Sequence, residues 1–407
     1  MTKKFSMITQ ILIAVVLGLA FGLFIPEWAH YLKIIGDIFL KLMQMAIPVL
    51  VLGQIIQAVG SIKPKELTSL GIRTVIVFGV SSLLAASWGI FIAVLFNPGY
   101  GVDMTASLGQ GIKEQEISLS QTISDFFSKN IFASLAEGSI IQIIVFALFF
   151  GLALSKFMQK KPTSSLFQII VDFNEVIINI IYYVMIFAPI GIFSLIASTI
   201  SELGIKIILP LMKYLLVYGL STFLFLGLWI IVIALYGKLN PWRLVLNMKN
   251  MSVMALATTS SAITLPIAME ESRHKLGLSN RITNLVLPLG MSLNSNGSAM
   301  HMAITVMTIA QMYQMDFSIE KMFYLAITAT FVSLANAVVP GAGLVSLAII
   351  VPQMGLPIES IAIFAGVEWF VGMLRTILNV NSDVYSAIVV AKSVNEIDYG
   401  IFNQTKS

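Results

Sequence analysis

The chain is expected to be an all-α integral membrane protein with many spans. Three observations carry this: 57% of its 407 residues are hydrophobic, only 11% are charged, and the mean hydropathy is +0.92. A soluble domain is about a quarter charged, so this chain cannot cover a water-facing surface of its size. That excludes a cytosolic enzyme, a nucleic-acid binder and a disordered tail protein. The net charge of +4 reads as a Lys/Arg excess in cytoplasmic loops, not as affinity for nucleic acid. With no cysteine, disulfides, zinc–thiolate sites and iron–sulfur clusters drop out. His30, His274 and His301 are too scattered for a metal cluster.

Apolar stretches long enough to span (about 20 residues) cover residues 5–25, 36–61, 72–97, 131–157, 165–200 and 206–236. The first follows Lys3 and Lys4, as a signal peptide would. It is longer than a signal's apolar region of about 7–15 residues and lacks an obvious small-x-small cleavage site, so it reads as a retained span. Residues 101–129 are the most polar stretch and read as a solvent-exposed connection on the outer side.

From Asn240 onward the pattern changes. Small and polar residues interrupt the apolar segments at Thr258-Thr259-Ser260-Ser261-Ala262, at Asn294-Ser295-Asn296-Gly297-Ser298, and at Ser333-Leu334-Ala335-Asn336 with Pro340-Gly341-Ala342-Gly343. Non-helical backbone at membrane depth must be buried in protein or line a wet cavity. Ordinary extramembrane loops are the bland alternative, but loops in this chain carry Lys, Arg and Glu and these breaks carry none. The breaks therefore point to a built site, with re-entrant hairpins at the first and third. Lys3/Lys4, Lys63/Lys65/Arg73, Lys156/Lys160/Lys161, Lys238/Arg243/Lys249 and Arg273/Lys275/Arg281 then share one side, which puts the N-terminus in the cytoplasm.

The last long segment holds Glu368, Arg375, Asn379, Asn381 and Asp383. Glu368, Gly372, Arg375, Asn379 and Asp383 fall within an arc of about 80° at 100° per residue. Ionisable residues inside a membrane face an interior or a cavity. A Glu–Arg–Asp network that only locks helices is one reading. The functional one has Arg375 pairing bidentately with an anionic substrate and Asp383 as a cation ligand. The Asn294–Ser298 break supplies side-chain oxygens and freed carbonyls, the ligands that a hard cation such as sodium needs. Ser81 and Ser82 could point at the same region, although a Ser-Ser pair in a membrane helix is usually a packing feature. At the first tip, Thr259, Ser260 and Ser261 would aim helix N-termini at a carboxylate. The second tip, Ala337 to Gly343 and including Ala342, would let backbone approach a ligand closely. His301 and the Met and Phe residues read as packing.

The ordered motifs Thr-Ser-Ser-Ala-Ile-Thr-Leu-Pro (259–266), Leu-Pro-Leu-Gly-Met-Ser-Leu-Asn-Ser-Asn-Gly-Ser (287–298), Val-Pro-Gly-Ala-Gly (339–343) and Arg-Thr-Ile-Leu-Asn-Val-Asn-Ser-Asp (375–383) resemble the dicarboxylate/amino acid:cation symporter family, to which glutamate and aspartate transporters belong. The resemblance covers nearly the whole chain. It implies eight transmembrane helices plus two re-entrant helical hairpins with inverted repeats, a homotrimer, and an elevator motion in the cell membrane. Residues 5–61 and 98–202 would form a fixed scaffold. Residues 67–97 and 206–398 would carry the cargo, with hairpins at about 244–276 and 322–353.

By position, the resemblance assigns Arg375 to the substrate's distal carboxylate, with Ser260, Ser261, Thr376, Asn379 and Ala342 around it. Gly290, Asn294, Asn379 and Asp383 match one sodium site. Ser81, Ser82, Asn294 and Asn296 match a second. Carbonyls near Ser333, Leu334 and Asn336, with that of Ser292, match a third. No organic cofactor or enzymatic activity is implied: Ser261 has no His or Lys partner to activate it, and the gate-like hairpins argue against an open pore. The expected partners are a small anionic substrate, membrane lipid and two further copies of the chain, with no nucleic acid.

Two departures matter. The family's amino-acid transporters carry an aspartate for the substrate's amino group three residues before the arginine, where this chain has Gly372. An ammonium buried without a carboxylate is poorly compensated, so a dicarboxylate such as succinate, fumarate or malate is favoured. The alternative is an acidic amino acid, with Glu368 one turn away as the substitute. The family's Asn-Met-Asp-Gly-Thr is Asn-Ser-Asn-Gly-Ser here (294–298). Asn296 thus weakens one sodium site, and fewer sodium ions, or protons through Glu368, would drive transport.

Overall fold

The computed structural model describes residues 7–61, 69–101, 104, 124, 126–204, 208–334 and 342–404. Within them the fold is helical, and the extended pairing is a single antiparallel bridge between Leu278 and Ile397. In chain order the helices are α1 (Met7–Phe24), α2 (Pro26–Ala29), α3 (Lys33–Gly60), α4 (Ser69–Phe96), α5 (Ile131–Glu137), α6 (Ile140–Lys160), α7 (Leu166–Ile186), α8 (Ala188–Leu203), α9 (Ile208–Gly237), α10 (Pro241–Asn247), α11 (Lys249–Thr258), α12 (Ser261–His274), α13 (Asn280–Leu293), α14 (Asn296–Met312), α15 (Ile319–Leu334), α16 (Ala342–Gln353), α17 (Ile361–Ala365), α18 (Glu368–Ser393) and α19 (Tyr399–Gln404).

Five apolar helical segments among the described residues are long enough to cross a membrane: Pro26–Gly60, Leu70–Phe96, Ile140–Lys160, Leu166–Ile186 and Ile208–Gly237. Residues Ile358–Ala365 and α18 pass the same test together, bent by 89°, and count as a sixth if the bent pair is one span. Large apolar side chains stand on the outside, with Phe24 83%, Leu209 77% and Leu235 76% exposed. Water would not tolerate so much greasy surface, and lipid does. The protein is a multi-pass membrane protein.

Two sequence expectations about spans change. The stretch 131–157 is two helices, because Gly138 takes φ +70° and ends α5. The stretch 165–200 is also two, α7 and α8, broken at Phe187. Pro189 in the first turn of α8 has no N–H to extend the preceding helix.

The helices sort into two groups by what they touch. In the first, α3 packs on α6, α7 and α8, and α1 lies along α8. Gly18 and Gly22 make that last contact close: a Cβ at Gly18 would sit 2.9 Å from the Phe193 carbonyl, and one at Gly22 2.8 Å from Ile200 Cβ. Small residues four apart let membrane helices approach at backbone distance. In the second group α4, α9, α11, α13 and α14 pack around α18. The two groups meet where α16 touches α3, α17 touches α8 and α15 touches α6.

Nearly every residue of α14 is buried, as is most of α18 from Val371 to Ala391. A helix buried on all sides can carry polar groups only if they find partners or serve a site. At the last turn of α18, Arg73 donates to the Ser393 carbonyl at 3.1 Å.

Candidate functional site

Three local sequence features build the site. Thr259 takes φ 51°, a left-handed turn that ends α11. Ser260 then caps α12, its hydroxyl accepting from the Ile263 N–H at 3.4 Å. The helices α11 and α12 pack on one another and both touch α18. In the second feature, Asn294 and Ser295 leave helical geometry between α13 and α14, which frees backbone beside α18. In the third, the 89° bend before Glu368 sets that residue in the first turn of α18. A carboxylate is favoured there by the helix dipole.

The polar face of α18 divides into two clusters. At its N-terminal end Arg375 Nη1 donates to Glu368 Oε1 at 2.9 Å, with side chains only 10% and 12% exposed. Glu368 Oε2 is buried and has no hydrogen-bond partner among the described residues. Gly343, at the start of α16, lies so close that a β-carbon there would overlap both the guanidinium and the carboxylate. Gly297 lies against the Arg375 backbone carbonyl in the same way. Gly372, by contrast, leaves room among the described residues: of these, a Cβ there would meet only Arg375 Nη2, at 3.7 Å. Tyr218 closes this end from α9, its hydroxyl donating to the Gly297 carbonyl at 3.3 Å and its ring edge-on to His301. Both ring nitrogens of His301 lack partners among the described residues.

The second cluster lies two turns further, about 12 Å along the helix axis. Asn294 Nδ2 donates to Asp383 Oδ1 at 2.9 Å. A Cβ on Gly290 would sit 2.7 Å from the same Asp383 oxygen. Ser81 of α4 donates to Asn294 Oδ1 at 3.0 Å, and Ser82 donates to Asn296 Oδ1 at 2.8 Å. Asn296 Nδ2 is buried and unpartnered among the described residues. Between the clusters, Asn379 Oδ1 accepts from the Gly297 N–H at 2.7 Å. Among the described residues no group of three His, Asp or Glu gathers. A cation held here would have Asp383 as its carboxylate, supplemented by amide, hydroxyl and carbonyl oxygens.

The structure thus brings together Gly290, Asn294 and Asp383, and links Ser81, Ser82, Asn294 and Asn296 by hydrogen bonds. A Glu–Arg–Asp network is not formed: Glu368 pairs with Arg375, and Asp383 pairs elsewhere. Thr376 spends its hydroxyl proton on the Gly372 carbonyl at 2.8 Å. Neither Ser260 nor Ser261 hydrogen-bonds Arg375 among the described residues. Ser292 and Ser333 donate to carbonyls of their own helices, Pro288 at 3.4 Å and Thr330 at 2.7 Å. Leu334 ends α15. Asn336 lies outside the described residues, as does the tip at 335–341, and Ala342 is described only in its backbone, at the start of α16. The sequence carries no sign of a role for Gly297 or Tyr218, and His301 reads there as packing. Their spacing from Arg375 in the chain carried no signal.

Comparison with known proteins identifies the family. The sodium:dicarboxylate symporter family model matches residues 7–393. A proton/sodium-glutamate symport protein of Bacillus caldotenax is 32% identical over 96% of this chain and 95% of its own length. A proton/glutamate-aspartate symporter of Escherichia coli is 32% identical over 97% of this chain and 94% of its own. A C4-dicarboxylate transport protein of Bacillus subtilis is 29% identical over 97% and 96%. The family and these relatives are transporters, not enzymes, and the chain belongs to the sodium:dicarboxylate symporter family.

Proposed function

We propose that the protein is a plasma-membrane symporter that imports a small dicarboxylate without an amino group, driven by sodium, protons or both. The observation that carries the substrate preference is Gly372. Beside the buried Arg375 it leaves open volume and no carboxylate among the described residues, while Glu368 is committed to Arg375. A guanidinium forms two parallel bonds to a carboxylate, and a bound ammonium would need a further anion. One relative is named for C4-dicarboxylates.

Arg375, with Thr376, Asn379, Ser260, Ser261, Ala342 and the space at Gly372, would contact the substrate. A sodium ion would bind at Asp383, Asn294, Asn379 and the Gly290 carbonyl. A weaker one would bind among Ser81, Ser82, Asn294 and Asn296. A third set, Ser292, Ser333, Leu334 and Asn336, is carried by the family resemblance alone. The same reading has eight spans and two re-entrant hairpins, α11–α12 and α15–α16, a cytoplasmic N-terminus and a homotrimer. The α3-centred group would be the scaffold, and the α18-centred group would move as an elevator. The two contact groups support that division.

A second reading is favoured by one observation, the unpartnered Glu368 Oε2. The substrate would then be aspartate or glutamate, its ammonium held by that oxygen. The test is uptake of labelled succinate and labelled aspartate into proteoliposomes, with an inward sodium gradient or a proton gradient alone. Succinate uptake well above aspartate is expected. The reverse order would overturn the preference, and the effective gradient identifies the coupling ion.

A further inference from the structure

We propose that Glu368 is a tethered stand-in for the substrate: its carboxylate neutralises Arg375 while the carrier is empty, and it takes up a proton when a substrate carboxylate displaces it. The inference rests on the reading that Arg375 binds the substrate, and it assigns the coupling proton to one side chain.

Charge arithmetic at the site drives the argument. With the site empty, Glu368 and Arg375 sum to zero, and the pair is almost wholly out of water. A carrier that must return empty through a membrane cannot leave a guanidinium unpaired. A dicarboxylate brings two negative charges to that one arginine. If Glu368 stayed ionised, the local sum would be two negative charges, the displaced and buried Glu368 carboxylate included. One proton taken up from the bulk solution by Glu368 removes one of them, giving a neutral carboxyl that the pocket can hold. When substrate leaves, Glu368 returns to Arg375 and the proton is released on that side.

The geometry suits an exchange of partners. The pair is single-bonded: Nη1 meets Oε1, and Oε2 has no partner among the described residues. A free dicarboxylate can bond the fork bidentately and so outcompete it. Gly343 covers both groups with backbone alone, and Gly372 leaves space on the Nη2 side. The other titratable groups facing the pair are Tyr214 and Tyr218 of α9, and His301 of α14 faces Arg375. Tyr214 is hydrogen-bonded to Thr305 and Tyr218 to Gly297. His301 is the one rival acceptor of a proton among them.

The test is calorimetric titration of the purified full-length protein with succinate, in buffers of different ionisation heat, which counts protons bound per succinate. Wild-type protein is expected to take up about one proton. Its affinity should rise as pH falls from 8 toward 6.5, by up to about tenfold per pH unit. Glu368→Gln is expected to bring the proton count near zero, flatten that pH dependence and cut net uptake relative to succinate–succinate exchange at least tenfold. His301→Gln should leave the count near one. Succinate binding by the wild type without proton uptake overturns the proposal, whatever the variants do. So does a count that survives in Glu368→Gln, or one lost in His301→Gln alone. In those cases Arg375 can still be the substrate's partner. If the wild type binds no succinate, fumarate, malate or aspartate, the reading of the site fails, and this inference with it.

Discussion

Asp383 and Gly290 sit so close across α18 and α13 that no side chain fits between them: a β-carbon on Gly290 would stand 2.7 Å from Asp383 Oδ1. The glycine lets the carboxylate lie against the backbone of a helix already weakened at Pro288. Gly290→Ala would push Asp383 off Asn294. The sodium concentration for half-maximal succinate binding should rise at least tenfold, and overpacking should cost about 1–3 kcal/mol of stability. Sodium titration of binding, beside a thermal melt, reads both. Unchanged sodium dependence would remove this pair from the ion site.

Arg375→Lys keeps the charge but loses the planar fork. Hydrogen bonds to charged groups are worth about 1.5–3 kcal/mol, so substrate affinity should fall about 10- to 100-fold. Titration calorimetry with succinate measures it. A lysine variant binding as tightly as wild type would mean that a point charge suffices.

Gly372→Asp puts a carboxylate where, among the described residues, a Cβ meets only Arg375 Nη2, at 3.7 Å. The ratio of aspartate to succinate uptake should rise at least tenfold, because an ammonium gains a partner while a plain dicarboxylate gains a like charge. Paired uptake assays in the same liposomes decide it. A ratio that stays put would show that amino-group recognition lies elsewhere.

Asn296→Asp acts on the second ion set. Asn296 Oδ1 already accepts from Ser82 at 2.8 Å, while its Nδ2 is buried without a partner among the described residues. An aspartate would keep the accepted bond and turn the idle donor into a charged ligand oxygen. Sodium should bind about tenfold tighter at pH 7, and uptake should depend more steeply on sodium. The variant should also lose stability when sodium is removed, since it leaves a buried carboxylate without a cation. A melt that ignores sodium would exclude a cation there.

Much of this was legible before any coordinates. The breaks at Thr259 and Asn294 stood out because polar, uncharged residues interrupt apolar runs, and both are helix ends in the structure. The common face of Glu368, Arg375 and Asp383 followed from helical period alone. The partners of those residues did not. Period cannot say that Glu368 reaches forward two turns to Arg375 while Asp383 turns to α13. Gly343 and Gly297 were visible as glycines, but the backbone approaches that need them are tertiary. The ends of α5 and α7 hid inside apolar runs, where Gly138 and Pro189 were outweighed by their neighbours. The set at Ser292, Ser333 and Asn336 would need carbonyl positions, on which side-chain chemistry is silent.

Arg73 has a second duty that bears on how the protein's sidedness can be probed. Its guanidinium holds the exposed carbonyl at the end of α18, where a cation also meets the negative pole of the helix. The charges that would post the chain on one side of the bilayer are thus also fasteners of the helix that carries the binding groups. Reversing them to flip the protein would loosen α18 at the same stroke. A lost signal in such an experiment would report a slackened helix as readily as an inverted one. Reporter tags on loops that leave Arg73 in place separate the two.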